Sequence, residues 1–307
     1  MIYTINLNPA LDHYLSFNNF NEGMLNNPIE DYKLPGGKGI NVSKVLKNYG
    51  ISSCCMGFLG GFTGTFIENK IEEYGITQKF IKILEDSRIN IKLNNNGIET
   101  EISGISPKIS LENYNEFLNL IKTTIKENDI LVLSGSVPSS LSNKIYKEII
   151  QLVPENVQII LDTRGESLKE AISKKIFLVK PNKVELEEFF QEQFISTKDL
   201  IRAGKKLQKL GPKNVLISLG KDGSILITEN EIYYGNVPKG NLISSVGAGD
   251  SMVAGFIYGL TKNLSILDTY KFSIASGSAT AFSKGLSTLD FATTLTSDIT
   301  ITKLEVI

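Results

Sequence analysis

Ser245-Val246-Gly247-Ala248-Gly249-Asp250-Ser251 is the stretch on which the reading of this chain turns. It follows the apolar pair Leu242-Ile243. It runs straight into Met252, Val253, Ala254, Phe256, Ile257 and Leu260, which are spaced for one face of a helix. A turn of small residues therefore opens a helix with a carboxylate in its first turn. At such an end the backbone N–H groups lack intrahelical partners, and the positive end of the helix dipole lies beside them. The turn can hold the growing charge of a transferred phosphoryl group. Asp250 next to it can take a proton from an attacking hydroxyl. The same string also reads as a glycine-rich loop with an Asp favoured by the dipole, so alone it leaves both readings open.

Outward from that stretch, composition narrows the field. The 307 residues are 41% hydrophobic and 21% charged, enough for one large α/β domain with a smaller appendage. A net charge of -1 offers no basic field for nucleic acid or an anionic membrane. No apolar run approaches the roughly 18 residues of a membrane span. The first strand starts without a basic leader region, so no signal peptide is expected. Cys54 and Cys55, adjacent in an apolar run, read as buried thiols in a reducing cytoplasm. One histidine, His13, rules out a His-rich metal site and any Ser-His-Asp mechanism that does not use it; it is expected to be structural. There is no GxxxxGK[ST], and no GxGxxG follows the first strand, which removes P-loop kinases and dinucleotide dehydrogenases.

Taken in order, Ile2–Leu7 is a short strand stopped by Asn8-Pro9, with Asp12 just beyond. Leu34-Pro35-Gly36-Gly37-Lys38-Gly39-Ile40-Asn41 leads to a helix with Val42, Val45, Leu46 and Tyr49 inward, closed by Gly50. Glycines around a lysine at a helix start let a ligand approach the backbone and supply a cation, although a tight turn with a solvent lysine has the same spelling. A strand over 51–59 and a helix with Phe66, Ile67, Ile71 and Tyr74 inward follow. Then Phe80–Leu84 and Arg88–Leu93 read as strands, Asn94-Asn95-Asn96-Gly97 as a hairpin turn, and Glu99–Ile102 as the return. This antiparallel piece, with part of residues 10–35, is expected to form a small sheet used as a lid. From Ser110, a helix cap, the βα alternation resumes: a helix with Phe117 and Ile121 inward, then the apolar strand Ile130–Leu133. A helix is expected near 143–153. The strand Val157–Leu161 ends in Asp162, and Phe177–Val179 ends in Lys180-Pro181-Asn182. Residues 214–219 end in Gly220-Lys221-Asp222-Gly223, an antiparallel pair follows, and a last long helix spans about 266–282. Polar and glycine-rich residues recur just past strand ends, which in an open parallel sheet line the ligand crevice.

Gly36–Ser43 and Val246–Asp250 resemble the two signature motifs of the ribokinase-like sugar kinase family, which includes the minor phosphofructokinases. The resemblance runs through essentially the whole chain. Asn8–Asp12, Leu34–Asn41, Gly57–Gly64, Arg88–Asn90 and Glu99–Ile102 are similar to the branch that phosphorylates fructose 1-phosphate, with the tagatose 6-phosphate kinases second. It implies an α/β, ribokinase-like three-layer α/β/α fold with a mainly parallel central sheet and a small β-sheet lid. Residues 1–307 would be a single catalytic domain, with the lid from about 10–35 and 86–104 inserted within it. The implied reaction is ATP- and Mg²⁺-dependent phosphorylation of a sugar phosphate, fructose 1-phosphate at C6. A catalytically inactive sugar-phosphate sensor is the reading from another class. The implied partners are small molecules, with no nucleic acid and no membrane, and a homodimer through the lid.

The resemblance also implies roles. Asp250 would be the base, and the amides of Gly247, Ala248 and Gly249 would hold the moving phosphoryl group. The family's usual Asp-Thr before Gly-Ala-Gly is Ser244-Ser245 here, which puts a monovalent-cation site in question. Asp12, Gly37, Asn41 and Asn90 would hold sugar hydroxyls. Lys38 and Arg88 would meet the existing phosphate, whose near-double charge suits an ammonium plus a guanidinium, and Ser136 could add a hydroxyl contact. Lys180, Asn182, Ser218, Gly220, Gly223, Gly249 and Ser276 would serve the nucleotide. Asn182 and Glu185, one helical turn apart, would hold Mg²⁺ through waters; a helix cap with an acidic face is the commoner meaning of that spacing.

Overall fold

The computed structural model describes residues 1–305. The chain begins with β1 (Ile2–Asn6), leaves it for β2 (Ala10–Phe17) and β3 (Glu30–Gly36), and returns through α1 (Lys38–Asn48) and β4 (Cys54–Gly60). After α2 (Gly61–Glu73) and β5 (Thr77–Ile83) it departs again for β6 (Arg88–Asn95) and β7 (Ile98–Ile102). Alternation follows: α3 (Leu111–Thr124), β8 (Ile130–Ser134), α4 (Ile145–Leu152), β9 (Gln158–Asp162), α5 (Gly165–Ala171) and β10 (Ile176–Val179). Next come α6 (Lys183–Phe190), α7 (Thr197–Lys209), β11 (Asn214–Ser218), and the hairpin β12 (Ser224–Ile227) and β13 (Ile232–Gly235). The chain closes with α8 (Ala248–Thr261), α9 (Ile266–Ala281), α10 (Leu289–Leu295) and β14 (Ile301–Leu304).

Ten strands form the main sheet in the order β14-β13-β12-β11-β10-β9-β8-β1-β4-β5. From β11 to β5 every pairing is parallel. β12, β13 and β14 extend one edge in antiparallel fashion. Both faces are covered, which is why β8 reads as an unbroken apolar run. Its Leu131 and Leu133 join a core with Phe117 of α3, Tyr146 of α4 and Leu168 of α5. Its Ile130 and Val132 join the opposite core with Val42 of α1, Phe256 of α8 and Tyr270 of α9. The result is a three-layer α/β/α body. The chain winds from β1 toward β4 on one side and β8 on the other, so the strand order reverses beside β1, where a crevice opens at the strand ends.

The second sheet has four strands, in the order β3-β2-β6-β7. Two expectations about it need correction. The strand at 80–84 does not belong to it; β5 lies parallel to β4 at the edge of the main sheet. The small sheet is also not wholly antiparallel, because β2 and β6 pair in parallel. Both strands enter it from parallel strands of the body, β1 and β5, and so leave in the same sense. The hairpin turn falls where expected, with Asn96 at φ 48° and Gly97 at φ 88°, the two left-handed residues that a tight hairpin needs. Ser110 caps α3 by accepting from Asn113 N–H. The spacing of apolar residues gave no assignment for α5, α7, α10 or β14.

Candidate active site

Gly247 opens α8 in the left-handed region (φ 79°), and no side chain caps the helix. The first-turn amides are therefore left for a ligand. Ala248 N–H is partly turned away, toward Ser245 O at 3.3 Å. A Cβ on Gly249 would stand 3.2 Å from Lys180 Nζ, so the ammonium lies over the start of the helix. Asp250 is 7% exposed, and Asn41 Nδ2 donates to its Oδ2 at 2.8 Å. Burial, then the nearby Asp162 charge, push the Asp250 carboxyl up to about 6, against the pull of Lys38, Asn41 and Lys180.

Asp162 is the site residue that sequence reading passed over. It ends β9, is 1% exposed, and receives Lys38 Nζ at 2.9 Å and Lys180 Nζ at 3.4 Å. Burial opposes its charge, but Lys180 and Lys38 hold its carboxyl below the usual range. The available signal was a polar residue closing an apolar strand. Lys38 sits differently from expectation. It is tied to Asp162, with Glu185 at 3.6 Å, rather than held out as a free cation for the substrate's own phosphate. Although burial works against its charge, Asp162, Glu185 and Asp250 more than offset that and raise its pKa.

Asn182 and Glu185 form a capping box at the start of α6. Glu185 N–H donates to Asn182 Oδ1 (2.8 Å), and Asn182 N–H donates to Glu185 Oε2 (2.9 Å). Only Glu185 Oε1 turns elsewhere, toward Lys38. Among the described residues no three acidic, His or Cys groups cluster as metal ligands. This donor set fits a hydrated Mg²⁺ held through waters and phosphates, not a protein cage. Ser218 bridges to Asn182 across the strand ends. Gly220, at φ 60°, faces open space, whereas a Cβ on Gly223 would strike Gly235 O, so Gly223 has a packing reason of its own. Ser276 is a correction. It is fully buried between α8 and α9, with its hydroxyl donating to Ser251 O (2.6 Å) and 2.5 Å from Tyr49 Oη, and it cannot reach a nucleotide.

Nearer the small sheet, Asn90 Nδ2 donates to Asp12 Oδ1 at 2.8 Å, and Gly104 N–H donates to Asn90 Oδ1. Burial raises the Asp12 pKa, opposed by Lys92, Asn90 and Arg88. Gly36 is in contact with Asp12 and Gly37 with Asn6, each too closely for any side chain. Arg88 donates to Asn8 O from Nε and Nη2, and to Ser103 Oγ from Nη1. Ser136 Oγ accepts from Asn8 Nδ2. A cleft of about 630 Å³ separates the small sheet from the start of α8, lined by Asp12, Tyr14, Asn41, Lys92, Glu99 and Ser244 among others. Glu99 of β7 accepts from Ser244 Oγ (3.2 Å) and Ser245 Oγ (3.5 Å) across it. His13 pairs with Asp31 within the small sheet, a structural place as expected. A second pocket of about 420 Å³ at the α4–α5 side is lysine-lined. Lys147, Lys169 and Lys175 there face Glu170, Glu166 and Glu155, and Lys175 also reaches terminal carbonyls of α4, so three of its four lysines are already paired.

Comparison with known proteins agrees with this geometry. A 1-phosphofructokinase of Bacillus subtilis is 43% identical over 99% of this chain and 100% of its own length. A tagatose-6-phosphate kinase of Staphylococcus epidermidis is 35% identical over 85% of each. The crystal structure of phosphofructokinase-2 from Escherichia coli in complex with substrates and products superposes with a TM-score of 0.90 at 25% identity, over 96% of this chain and 98% of that one. The same Escherichia coli enzyme has also been solved in a tetrameric inhibited form. The ribokinase-like architecture expected from the motifs is the one observed. The family model for pfkB carbohydrate kinases matches residues 7–292, from the end of β1 to α10, and the chain belongs to that family.

Proposed function

We propose that this chain catalyses the 1-phosphofructokinase reaction, transfer of the γ-phosphoryl group of ATP to the C6 hydroxyl of D-fructose 1-phosphate. The observation that carries it is the buried Asp250–Asn41 pair beside the uncapped first turn of α8, with Lys180 over Gly249. Asp250 accepts the C6 hydroxyl proton as the oxygen attacks. The amides at 247–249 face the charge of the transferring group, and Lys180 and Lys38, held by Asp162, add positive charge on its path. Asp12 and Asn90, with Gly37 and Asn41, hold sugar hydroxyls; Arg88 and Ser136 hold the phosphate on C1. Ser218 and Gly220 lie on the nucleotide side. Bound through waters by Asn182 and Glu185, Mg²⁺ would neutralise charge on the ATP phosphates.

The small sheet acts as a lid over the cleft, and its outer face is the surface through which two copies pair. With no helix long and apolar enough to cross a membrane among the described residues, and with two free buried cysteines, we place the enzyme in the cytoplasm. The test is a substrate panel with ATP: fructose 1-phosphate, fructose 6-phosphate, tagatose 6-phosphate and unphosphorylated fructose. The largest kcat/KM should fall on fructose 1-phosphate. A value about tenfold higher on tagatose 6-phosphate would transfer the assignment to that reaction. Tight sugar-phosphate binding without ATP turnover would make the chain a sensor.

A further inference from the structure

The small sheet is joined to the body by four crossings of the chain: residues 7–9, 84–87, 103–110, and Gly37 between β3 and α1. Three of these meet at one residue, Asn8, which is 3% exposed. Asn8 lies in the first crossing. Its backbone carbonyl accepts from Arg88 Nε (3.3 Å) and Nη2 (3.2 Å), where the second crossing enters β6. Its Nδ2 donates to Ser106 Oγ (2.8 Å) in the third crossing and to Ser136 Oγ (3.1 Å) just after β8 in the body. Arg88 Nη1 in turn donates to Ser103 Oγ (2.7 Å), again in the third crossing.

The proton directions in this cluster point to an anion. Ser103, Ser106 and Ser136 each receive an N–H, which leaves each O–H free to donate outward, and none of the three donates to a group among the described residues. Arg88 has five N–H donors and uses three here, so two remain. Three hydroxyls and two guanidinium N–H groups thus surround one buried amide, with no carboxylate hydrogen-bonded among them. Asn8 Oδ1 has no partner among the described residues although it is buried, an expensive state unless a bound ligand supplies a donor. A sugar hydroxyl beside the phosphate is such a donor.

We propose that Asn8 is a positioning residue that builds the seat of the substrate's existing phosphate at the hinge of the small sheet, so that filling the seat closes the sheet over the sugar. This rests on the sugar-phosphate reading above. A phosphate held at once by Arg88, Ser103 and Ser106 from the crossings and by Ser136 from the body draws those segments together. The crossing also connects to Asp12, the carboxylate that holds sugar hydroxyls on that reading, because Gly104 N–H donates to Asn90 Oδ1 and Asn90 Nδ2 donates to Asp12. A Cβ on Gly104 would stand 2.2 Å from Ile89 O, so the third crossing already abuts β6 and transmits movement to it.

The test compares the full-length wild-type protein with Asn8→Ala, and with Ser106→Ala as the milder variant should Asn8→Ala fold poorly. The wild-type readout comes first: fructose 1-phosphate, but not fructose, should slow amide exchange in β6 and β7 without nucleotide. Each variant should raise KM for fructose 1-phosphate by about tenfold, hold KM for ATP within about twofold, and abolish the slowed exchange. An unchanged sugar-phosphate KM overturns the proposal, as does a parallel rise in both KM values with a lowered melting temperature, which is the signature of packing alone. A wrong choice of sugar phosphate shows instead in the wild-type substrate panel, and the comparison is then run with the sugar phosphate that the wild type uses.

Discussion

Asp250 sits where two demands oppose each other. A base needs a carboxylate with appreciable proton affinity, and burial beside Asp162 supplies it, with the pKa pushed up to about 6. If Asp250 is the base, kcat/KM should fall with unit slope as pH drops through about 6, and Asp250→Asn should cut kcat by roughly 10²–10⁴-fold while sugar-phosphate affinity is retained. A mild loss would displace it from that role. The same shift fixes a sign for stability. Its folded pKa lies above the ordinary 3.8, so its contribution to stability is full below that pH and is lost as pH rises through about 6. Asp250→Asn should therefore raise the melting temperature at pH 8, and the gain should vanish near pH 4. Asp162→Asn removes a neighbouring negative charge, so the acid limb of the pH profile should move to lower pH. An unmoved limb would show that Asp162 does not set the base. Asp250 and Asn41 were legible because each sits in a local motif. Asp162 was not, because what brings it into the candidate site is a lysine 124 residues away in the chain, and no local spacing encodes that pair. Ser276 misled for the converse reason: small residues serve helix packing and ligand approach equally well, and here α8 and α9 claim it.

At the scale of elements, Glu99 on β7 reaches Ser244 and Ser245, the pair that stands in place of the family's usual Asp-Thr. Lys284 and Glu30 make a second, looser contact at 3.9 Å between the body and the small sheet. Both contacts cross the cleft, and the loop that Glu99 holds is the one that turns into Gly247. If the small sheet is the lid, loss of the contact frees it to open and lets water reach the phosphoryl group. Glu99→Ala should therefore raise ATP hydrolysis without sugar, relative to transfer with sugar, by roughly threefold or more. An unchanged ratio, measured by phosphate release, would reduce the contact to a surface hydrogen bond. The elements themselves were readable where chemistry is local, as in the Asn96-Gly97 turn, the Ser110 cap and the doubly covered β8. The placement of β5 was not. Its alternation fits either sheet, and only its parallel pairing with β4, settled by the path of α2, assigns it to the main one.

For the molecule as a whole, the small sheet has two unlike faces. Asp12, Tyr14, Ser16, Tyr32 and Lys92 line the cleft, so by strand alternation Leu11, Leu15, Ile89 and Ile91 face the other way. On β7, Ile102 lies opposite Ile91 and Ile98 opposite Asn95, while Lys92 pairs with Glu101 on the cleft side. Ile98 is 68% exposed, Ile102 56% and Ile89 38%, on a sheet whose outer strand β7 is exposed throughout. Toward β3 that face also carries the His13–Asp31–Lys33 cluster, but its apolar part, ending in the open edge of β7, invites unwanted pairing unless something covers it. A second copy presenting the same face would cover both at once, as a two-fold interface does. Ile98→Lys with Ile102→Lys places like charges in the middle of that contact, where desolvating an unpaired ion costs several kcal/mol. Light scattering should then report a dimer for the wild type and a monomer for the double variant. The monomer should also show a raised KM for the sugar phosphate, because an uncovered lid closes less readily over its cleft. A wild type that is monomeric at all concentrations would remove the pairing. A variant that stays dimeric would place the interface on another face and leave these isoleucines without a partner.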